Sequence, residues 1–223
     1  MKIASLFKDI TYNGLDIEYI DDINNIDIDR YKYIIISGGD GAIRRAIKSL
    51  CKHTNLPPII INPIGSFNVI AKKHNIPPLE DIFERIKENH TSLQTQKVYK
   101  LNDEIFLFSA GNMGDVQHIF ISESIRVGWL KQGAMKYLIS LLLLLPMHIV
   151  MTPFMLLSKE RFFIFTPLHI IKKFGSFYGK VEDEIVIDLN NDYNLIELDG
   201  DIVTIYDRYL KIQHLRDIDI VVI

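Results

Sequence analysis

The sequence predicts an α/β unit with a parallel sheet over residues 1–97, followed by a mainly β unit over residues 98–223. Three observations carry this division. The runs YIIIS (33–37) and PIIIN (58–62) are continuously apolar and β-branched, the character of short strands buried on both faces of a parallel sheet. Between them Ile43, Ala46, Ile47 and Leu50 recur at i, i+3, i+4 and i+7, which lines one face of a helix. From about Val98 onward strand-like runs replace this alternation, a change of grammar that separates an α/β layer from a β layer.

Taken in order, the opening MKIASLFKDITYNG is interrupted by Lys8 and Asp9 before an apolar core of useful length forms, so it makes a poor secretory signal. Residues 16–29 are rich in Asp, Asn and Ile and read as a solvated strand-loop connection. The helix carrying Ile43 to Leu50 stops before NLPP, and a second helix is expected over 66–74. A third carries Leu79, Ile82, Phe83 and Ile86; a proline pair and the acidic Glu80 and Asp81 open it. Beyond it EIFLFSAG, RFFIFTP, DEIVIDL, NLIELDG and DIDIVVI read as strands, interrupted mainly by a helical stretch over 128–146.

Composition narrows the functions. With 223 residues and 48% hydrophobic side chains the chain can bury a substantial core. A net charge of −3 lacks the basic excess of a nucleic-acid-binding protein, so no nucleic acid partner is expected. The single Cys51 rules out an internal disulfide and a cysteine-rich metal site, and fits a reducing cytoplasm. The seven histidines show no metal-ligand spacing. Residues 137–158, YLISLLLLLPMHIVMTPFMLLS, carry no formal charge and reach the length of a membrane span, yet Pro146 and Pro153 break the run. A core helix or one dipping into a membrane surface fits better, and Trp129 with Arg126 and Lys131 would suit either a peripheral membrane rim or a packed core with a solvated edge.

Two segments have the form of a phosphate site. Gly38-Gly39-Asp40-Gly41 joins a strand to a helix, where glycines allow close approach and the helix start presents backbone N–H groups; the same spacing also suits a mere tight turn. The second strand repeats the design through Gly65 and Ser66, with Asn68 as a possible donor and Ser66 either a helix cap or a ligand contact. Consecutive loops of this kind lie at the carboxyl edge of a parallel sheet, where ligands bind. Neither G-x-G-x-x-G nor G-x-x-x-x-G-K-[ST] is present.

GGDG and PIGSFNVIA together resemble the catalytic domain of the diacylglycerol and sphingosine lipid kinase family. FSAGNMGDV and ELDGDIVTI are similar to two later landmarks of that family, in the same order. The resemblance implies a Rossmann-like nucleotide-binding domain and a β-sandwich, ATP with Mg2+, and a lipid hydroxyl as acceptor at the inner face of a membrane. It further implies that Gly38, Gly39, Asp40 and Gly41 organise the phosphates and magnesium, that Gly65, Ser66 and Asn68 complete the pocket, and that Asp199 and Asp201 hold the catalytic base.

The chain departs from the pattern at Ala42, where the family has threonine, at Arg44 and Arg45, which replace Asn-Glu, and at Asp201, which replaces glutamate. An early Asn-Pro-x-x-Gly loop is absent. Arginines in a first helical turn oppose the macrodipole unless an anion lies nearby; the alternatives are that they point into water or pair with Asp27, Asp29 or Asp40. Two functions follow, an ATP-dependent lipid kinase or a non-catalytic relative that binds nucleotide or lipid. Asp199-Gly200 is equally a hairpin turn signal.

Overall fold

The computed structural model describes residues 1–112 and 158–223 throughout and, between them, residues 139, 142, 145, 146, 149, 150, 153, 154, 156 and 157. The elements are β1 (Lys2–Leu6), β2 (Asp16–Ile20), β3 (Tyr33–Gly38), α1 (Asp40–Leu50), β4 (Ile59–Pro63), α2 (Val69–Lys73), α3 (Leu79–Lys87), β5 (Ser92–Leu101), β6 (Glu104–Phe106) and β7 (Ser109–Gly111). They continue with β8 (Phe163–Phe165), β9 (Lys173–Phe174), β10 (Phe177–Tyr178), β11 (Ile185–Asp188), β12 (Asn194–Leu198), β13 (Asp201–Ile205) and β14 (Tyr209–Val222).

The chain forms two compact units, Met1–Val98 with Arg216–Ile223, and Tyr99–Leu215. The first is α/β. Its strands run in the order β2-β1-β3-β4-β14-β5, with β1, β2, β3, β4 and β14 mutually parallel where they pair. Ile34, Ile35, Ile36, Ile59, Ile60 and Ile61 are all fully buried, the outcome expected of uninterrupted β-branched runs covered on both faces. On one face Tyr33, Ile35 and Ile60 pack with Ile82, Phe83 and Ile86 of α3 and with Val221 of β14. α1 packs on β3 and buries Ile43, Ala46, Ile47 and Leu50, the stripe its spacing predicts.

The second unit is mainly β. One sheet runs β13-β12-β7-β8-β10-β9, antiparallel except where β10 lies parallel to β8. The end of β5 pairs with β6, and β11 pairs with the start of β14, both antiparallel. Tyr99, Phe106, Ile187, Leu210 and Ile212 from these strands share one core with Ala110, Ile164, Ile196, Leu198 and Ile205 of the six-stranded sheet, a two-layer arrangement.

The Asp/Asn-rich stretch opens with a strand, as its strand-loop reading expects: residues 2–6 and 16–20 form parallel strands at the edge of the first sheet. Other expectations are corrected. The second helix spans Val69–Lys73, shorter than the expected 66–74, because Asn68 adopts a left-handed conformation and stops the helix from extending backward. The sequence reading groups everything after residue 97 with the β unit, whereas Arg216–Ile223 belong to the first. The helical stretch over 128–146 falls largely outside the described residues, as do Arg126, Trp129, Lys131 and the end of FSAGNMGDV. Among the described residues no helix is long and apolar enough to cross a membrane.

Candidate functional site

The register of the first sheet brings the two glycine loops together. β3 and β4 pair in parallel with Ser37 opposite Asn62 and Gly38 opposite Pro63, so both strands release their loops at one edge. Asn62 Nδ2 donates to Ser37 Oγ at 3.0 Å, and the Ile64 N–H donates to the Gly38 carbonyl at 3.2 Å. Beyond these bonds the backbones nearly touch. A Cβ at Gly65 would overlap the Gly39 Cα, and one at Gly39 would stand 3.2 Å from the Gly65 Cα. Glycine is required at this crossing for space, not for an unusual φ.

Asn68 closes the second loop on itself. In its left-handed conformation (φ 51°, ψ 53°) the side-chain Oδ1 accepts the Gly65 N–H at 3.1 Å while Nδ2 donates to the Gly65 carbonyl at 2.7 Å. Both amide groups are thereby used to fix the loop. Ser66 is exposed and lies three residues before α2, so it does not cap that helix; Asn68 occupies the N-cap position without a side-chain cap bond.

The cap is supplied by Asp40. This first residue of α1 is buried, and its carboxylate accepts the Val69 N–H at 2.9 Å and the Ile70 N–H at 3.1 Å. Two of the donors that a helix start leaves without intrahelical partners are thus satisfied from another element. Burial pushes the Asp40 carboxyl above its ordinary value, against the pull of the two N–H donors and of Lys72. Lys72 itself lies over the Phe67 ring, 5.6 Å from its centroid.

This leaves a crossing of two glycine loops at the start of an eleven-residue helix, whose first backbone N–H groups carry partial positive charge. Gly38, Gly39, Asp40, Gly41, Gly65, Ser66 and Asn68 are all brought into this one neighbourhood by the β3–β4 register. Such a cradle suits a phosphate. The two arginines diverge: Arg44 is buried and Arg45 exposed.

Asp199 and Asp201 belong to the second unit. Asp199 and Gly200 are the two turn residues of the β12–β13 hairpin, both with positive φ (51° and 89°), and Leu198 pairs with Asp201 across it. Asp199 is 2% exposed, and its carboxylate accepts the N–H groups of Leu107, Phe108 and Ser109 at 2.7, 2.9 and 2.9 Å. That set fixes the connection between β6 and β7 and occupies both oxygens. Asp201 opens β13 half-exposed. Sequence reasoning passed over Glu197, a buried carboxylate that accepts the Ser109 hydroxyl at 3.0 Å and the Gly200 N–H. A charged side chain inside the apolar alternation of NLIELDG was the signal that could have marked it.

Among the described residues no group of three or more His, Cys, Asp or Glu side chains is placed to hold a metal ion. The glycine crossing fits a nucleotide phosphate, whereas the side chains do not identify a magnesium centre.

Residues 10–98 match the diacylglycerol kinase catalytic domain family, the stretch that holds both glycine loops, and the resemblance read from GGDG and PIGSFNVIA is borne out there. Among solved structures the chain is similar to a diacylglycerol kinase from Bacillus anthracis str. Sterne, at 17% identity and a TM-score of 0.41, over 57% of this chain and 55% of that one. It is also similar to an NAD kinase from Archaeoglobus fulgidus in complex with ATP, at 11% identity and a TM-score of 0.45, over 100% and 93%. The chain spans about half the length of the Bacillus anthracis structures it matches. No curated protein matches it.

Proposed function

We propose that the chain is an ATP-dependent lipid kinase-like protein that transfers a phosphoryl group to a lipid hydroxyl of the diacylglycerol or sphingosine type. The backbone crossing of Gly39 and Gly65 at the head of α1 is the observation that carries the reading. In it the main-chain N–H groups of Gly39 and Gly41 at the head of α1 hold the nucleotide phosphates, Gly38 and Gly65 give the two loops their close approach, and the Ser66 hydroxyl adds a donor. Asp40 and Asn68 are positioning residues, since their side chains hold α2 and the Gly65 loop in place. Magnesium bound with ATP would neutralise charge on the transferring phosphoryl group. Asp201 is the proposed base, taking the proton from the lipid hydroxyl as its oxygen bonds to the γ-phosphorus of ATP and the bond from that phosphorus to the bridging oxygen breaks, with ADP as leaving group; Asp199 positions the hairpin that carries it. A lipid acceptor puts the reaction at a membrane surface, on the cytoplasmic side where ATP is available.

A second reading, a relative that binds nucleotide or lipid without transfer, is favoured by one observation. The Asp199 carboxylate is spent on three backbone N–H groups, which leaves the shorter Asp201 as the remaining carboxylate of the pair.

The test is transfer from labelled ATP to diacylglycerol or sphingosine in mixed micelles, with thermal stabilisation by ATP-magnesium measured alongside. Turnover that falls by about a hundredfold or more in Asp201→Asn, with stabilisation retained, supports the kinase. Stabilisation without turnover supports the second reading. In Gly65→Val a branched side chain fills the crossing, and ATP should no longer stabilise the protein. A wild-type protein that ATP neither stabilises nor serves as donor, and that binds neither lipid in the micelles, overturns both readings.

A further inference from the structure

One aromatic side chain of the first unit is both strained and exposed. β1 is buried through Ile3, Ala4, Ser5 and Leu6, and at its end the chain turns sharply. Phe7 makes the turn in the left-handed region, with φ 67°, and leaves its side chain 50% accessible. Left-handed backbone is costly for a bulky residue, and such residues persist where their surroundings hold them. Here the hold is the buried Ser5 hydroxyl, which donates to the Lys8 carbonyl at 2.7 Å across the turn. Among the described residues no aromatic stack or cation–π contact involves Phe7. Phe67, the exposed ring beside the glycine crossing, differs in already carrying the Lys72 ammonium.

The position of Phe7 in the sheet gives the exposed ring a use. In the strand order β2-β1-β3-β4 the chain leaves β1 in one direction and β3 in the other. Ile10, Tyr12 and Leu15 of the β1–β2 connection pack on the α3 face of the sheet, whereas α1, which follows β3, contributes none of its buried residues to that cluster and covers the opposite face. Connections that part in this way open a crevice at the carboxyl ends of their strands, where ligands of parallel sheets bind. Leu6 pairs with Ile36, so Phe7 stands at the level of Ser37, one strand spacing or about 5 Å away, and one residue short of Gly38. Its ring borders the crevice, and the glycine crossing comes next along the same edge.

We propose that Phe7 is the platform on which the base of the bound nucleotide stacks. With its phosphates at the head of α1, a nucleotide extends along the edge either over β4 or into the crevice at β1. Toward β4 the Phe67 ring is occupied by Lys72; toward β1 the Phe7 ring is open. A phenyl ring offers a base a π-face and no hydrogen-bond partner, so it holds one purine as well as another. The inference rests on the nucleotide-phosphate reading of the glycine crossing, and adds that the donor is selected by stacking, with GTP as acceptable as ATP.

Affinities of the full chain for ATP, GTP and tripolyphosphate, each with magnesium and without lipid, are measured by calorimetry. Tripolyphosphate carries the anionic part of the ligand without a base. The wild-type protein should bind ATP and GTP within about threefold of one another, and each about tenfold or more tighter than tripolyphosphate. Phe7→Leu, which keeps an apolar side chain on the left-handed backbone, should bring both nucleotides down to the level of tripolyphosphate and leave tripolyphosphate itself unchanged. Phe7→Gly should lose the preference equally while melting no lower than Phe7→Leu, because glycine relieves the strain. If Phe7→Leu does not fold, Phe7→Gly carries the test. The proposal is overturned if the preference for a base survives in these variants, or if the wild-type protein favours ATP over GTP by about tenfold or more. Equal binding of ATP and tripolyphosphate by the wild-type protein removes the platform and keeps the phosphate cradle; failure of all three to bind removes both.

Discussion

In the first unit the carboxylate of Asp40 satisfies two N–H groups 29 and 30 residues further along the chain; in the second, Asp199 satisfies three that lie 90 to 92 residues earlier. Both sit beside glycine, Asp40 at the head of a helix and Asp199 in a hairpin turn, and both tie distant backbone to the motif that contains them. Their surroundings differ. Asp40 lies at the head of α1 beside the crossing of Gly39 and Gly65, while Asp199 is sealed among the N–H groups it serves, with Glu197 and Ser109 completing the cluster. An aspartate in a glycine turn therefore marks a ligand site only when the adjoining main chain retains donors. We read GGDG, at the head of α1, as the case that keeps them, whereas in LDGD the Asp199 N–H is bound by the Ser109 carbonyl and the Gly200 N–H by Glu197.

The sharpest way to separate the two is to remove each carboxylate. Asp199→Ala leaves three buried N–H groups without an acceptor and should cost about 3–5 kcal/mol in urea unfolding of the second unit, enough to prevent expression of a folded protein at elevated temperature. Asp40→Ala frees two donors at a short helix start and should cost less, about 1–3 kcal/mol, while abolishing thermal stabilisation by ATP-magnesium because the Gly65 loop and α2 lose their tie to α1. If Asp199→Ala proved the milder of the two in stability, the view that it is the more architectural carboxylate would be wrong. Gly200→Ala tests the turn rather than the carboxylate. Its φ of 89° strains an L side chain, but open space surrounds it, so a loss of about 1 kcal/mol is expected.

The smallest effect is in pH, and its sign differs between the units. The buried Asp40 carboxyl is raised above its ordinary 3.8, so the folded state holds that proton more tightly than the unfolded chain. Its contribution is present below 3.8 and is lost as pH rises through the raised value. Asp188 behaves oppositely: a two-pronged bond from Arg208, at 2.7 and 2.8 Å, and the Asn190 N–H lower it to about 2. Its contribution is present above 3.8 and is lost as pH falls through about 2. Urea midpoints of Asp40→Asn and Asp188→Asn against wild type across acid pH should therefore diverge with opposite slopes; parallel slopes would contradict the assignment.

The elements that periodicity alone can specify were legible. β3, β4, α1 and α3 all carry uninterrupted apolar runs or a helical stripe, and each lies where its pattern puts it. β2 was legible only as part of a strand-loop connection, because DIEYI is an edge strand among Asp and Asn, where side chains report solvent rather than pairing. β5 was masked because SLQTQKVYKL alternates polar residues over its first half, exposed but for Gln96. At the site, the glycines were readable as a close approach, and the turn at Asp199-Gly200 was readable as one of two alternatives. What no local pattern could supply was the target of each carboxylate. Val69 and Ile70 offer backbone donors, as do Leu107 to Ser109, and nothing in a side chain announces a main-chain N–H that will lack a partner.

One strand bears on how the molecule comes into being. β14 begins in the second unit and ends in the first, where Ile220 aligns in parallel with Ile59 and the strand fills the row between β4 and β5. On a translating ribosome, β1 to β5 emerge with that row empty, and it is filled only after the intervening β unit has been synthesised. Contacts of such large sequence separation close slowly. The early α/β segment would spend that interval with an open β4 edge, which makes it a client for chaperones during synthesis.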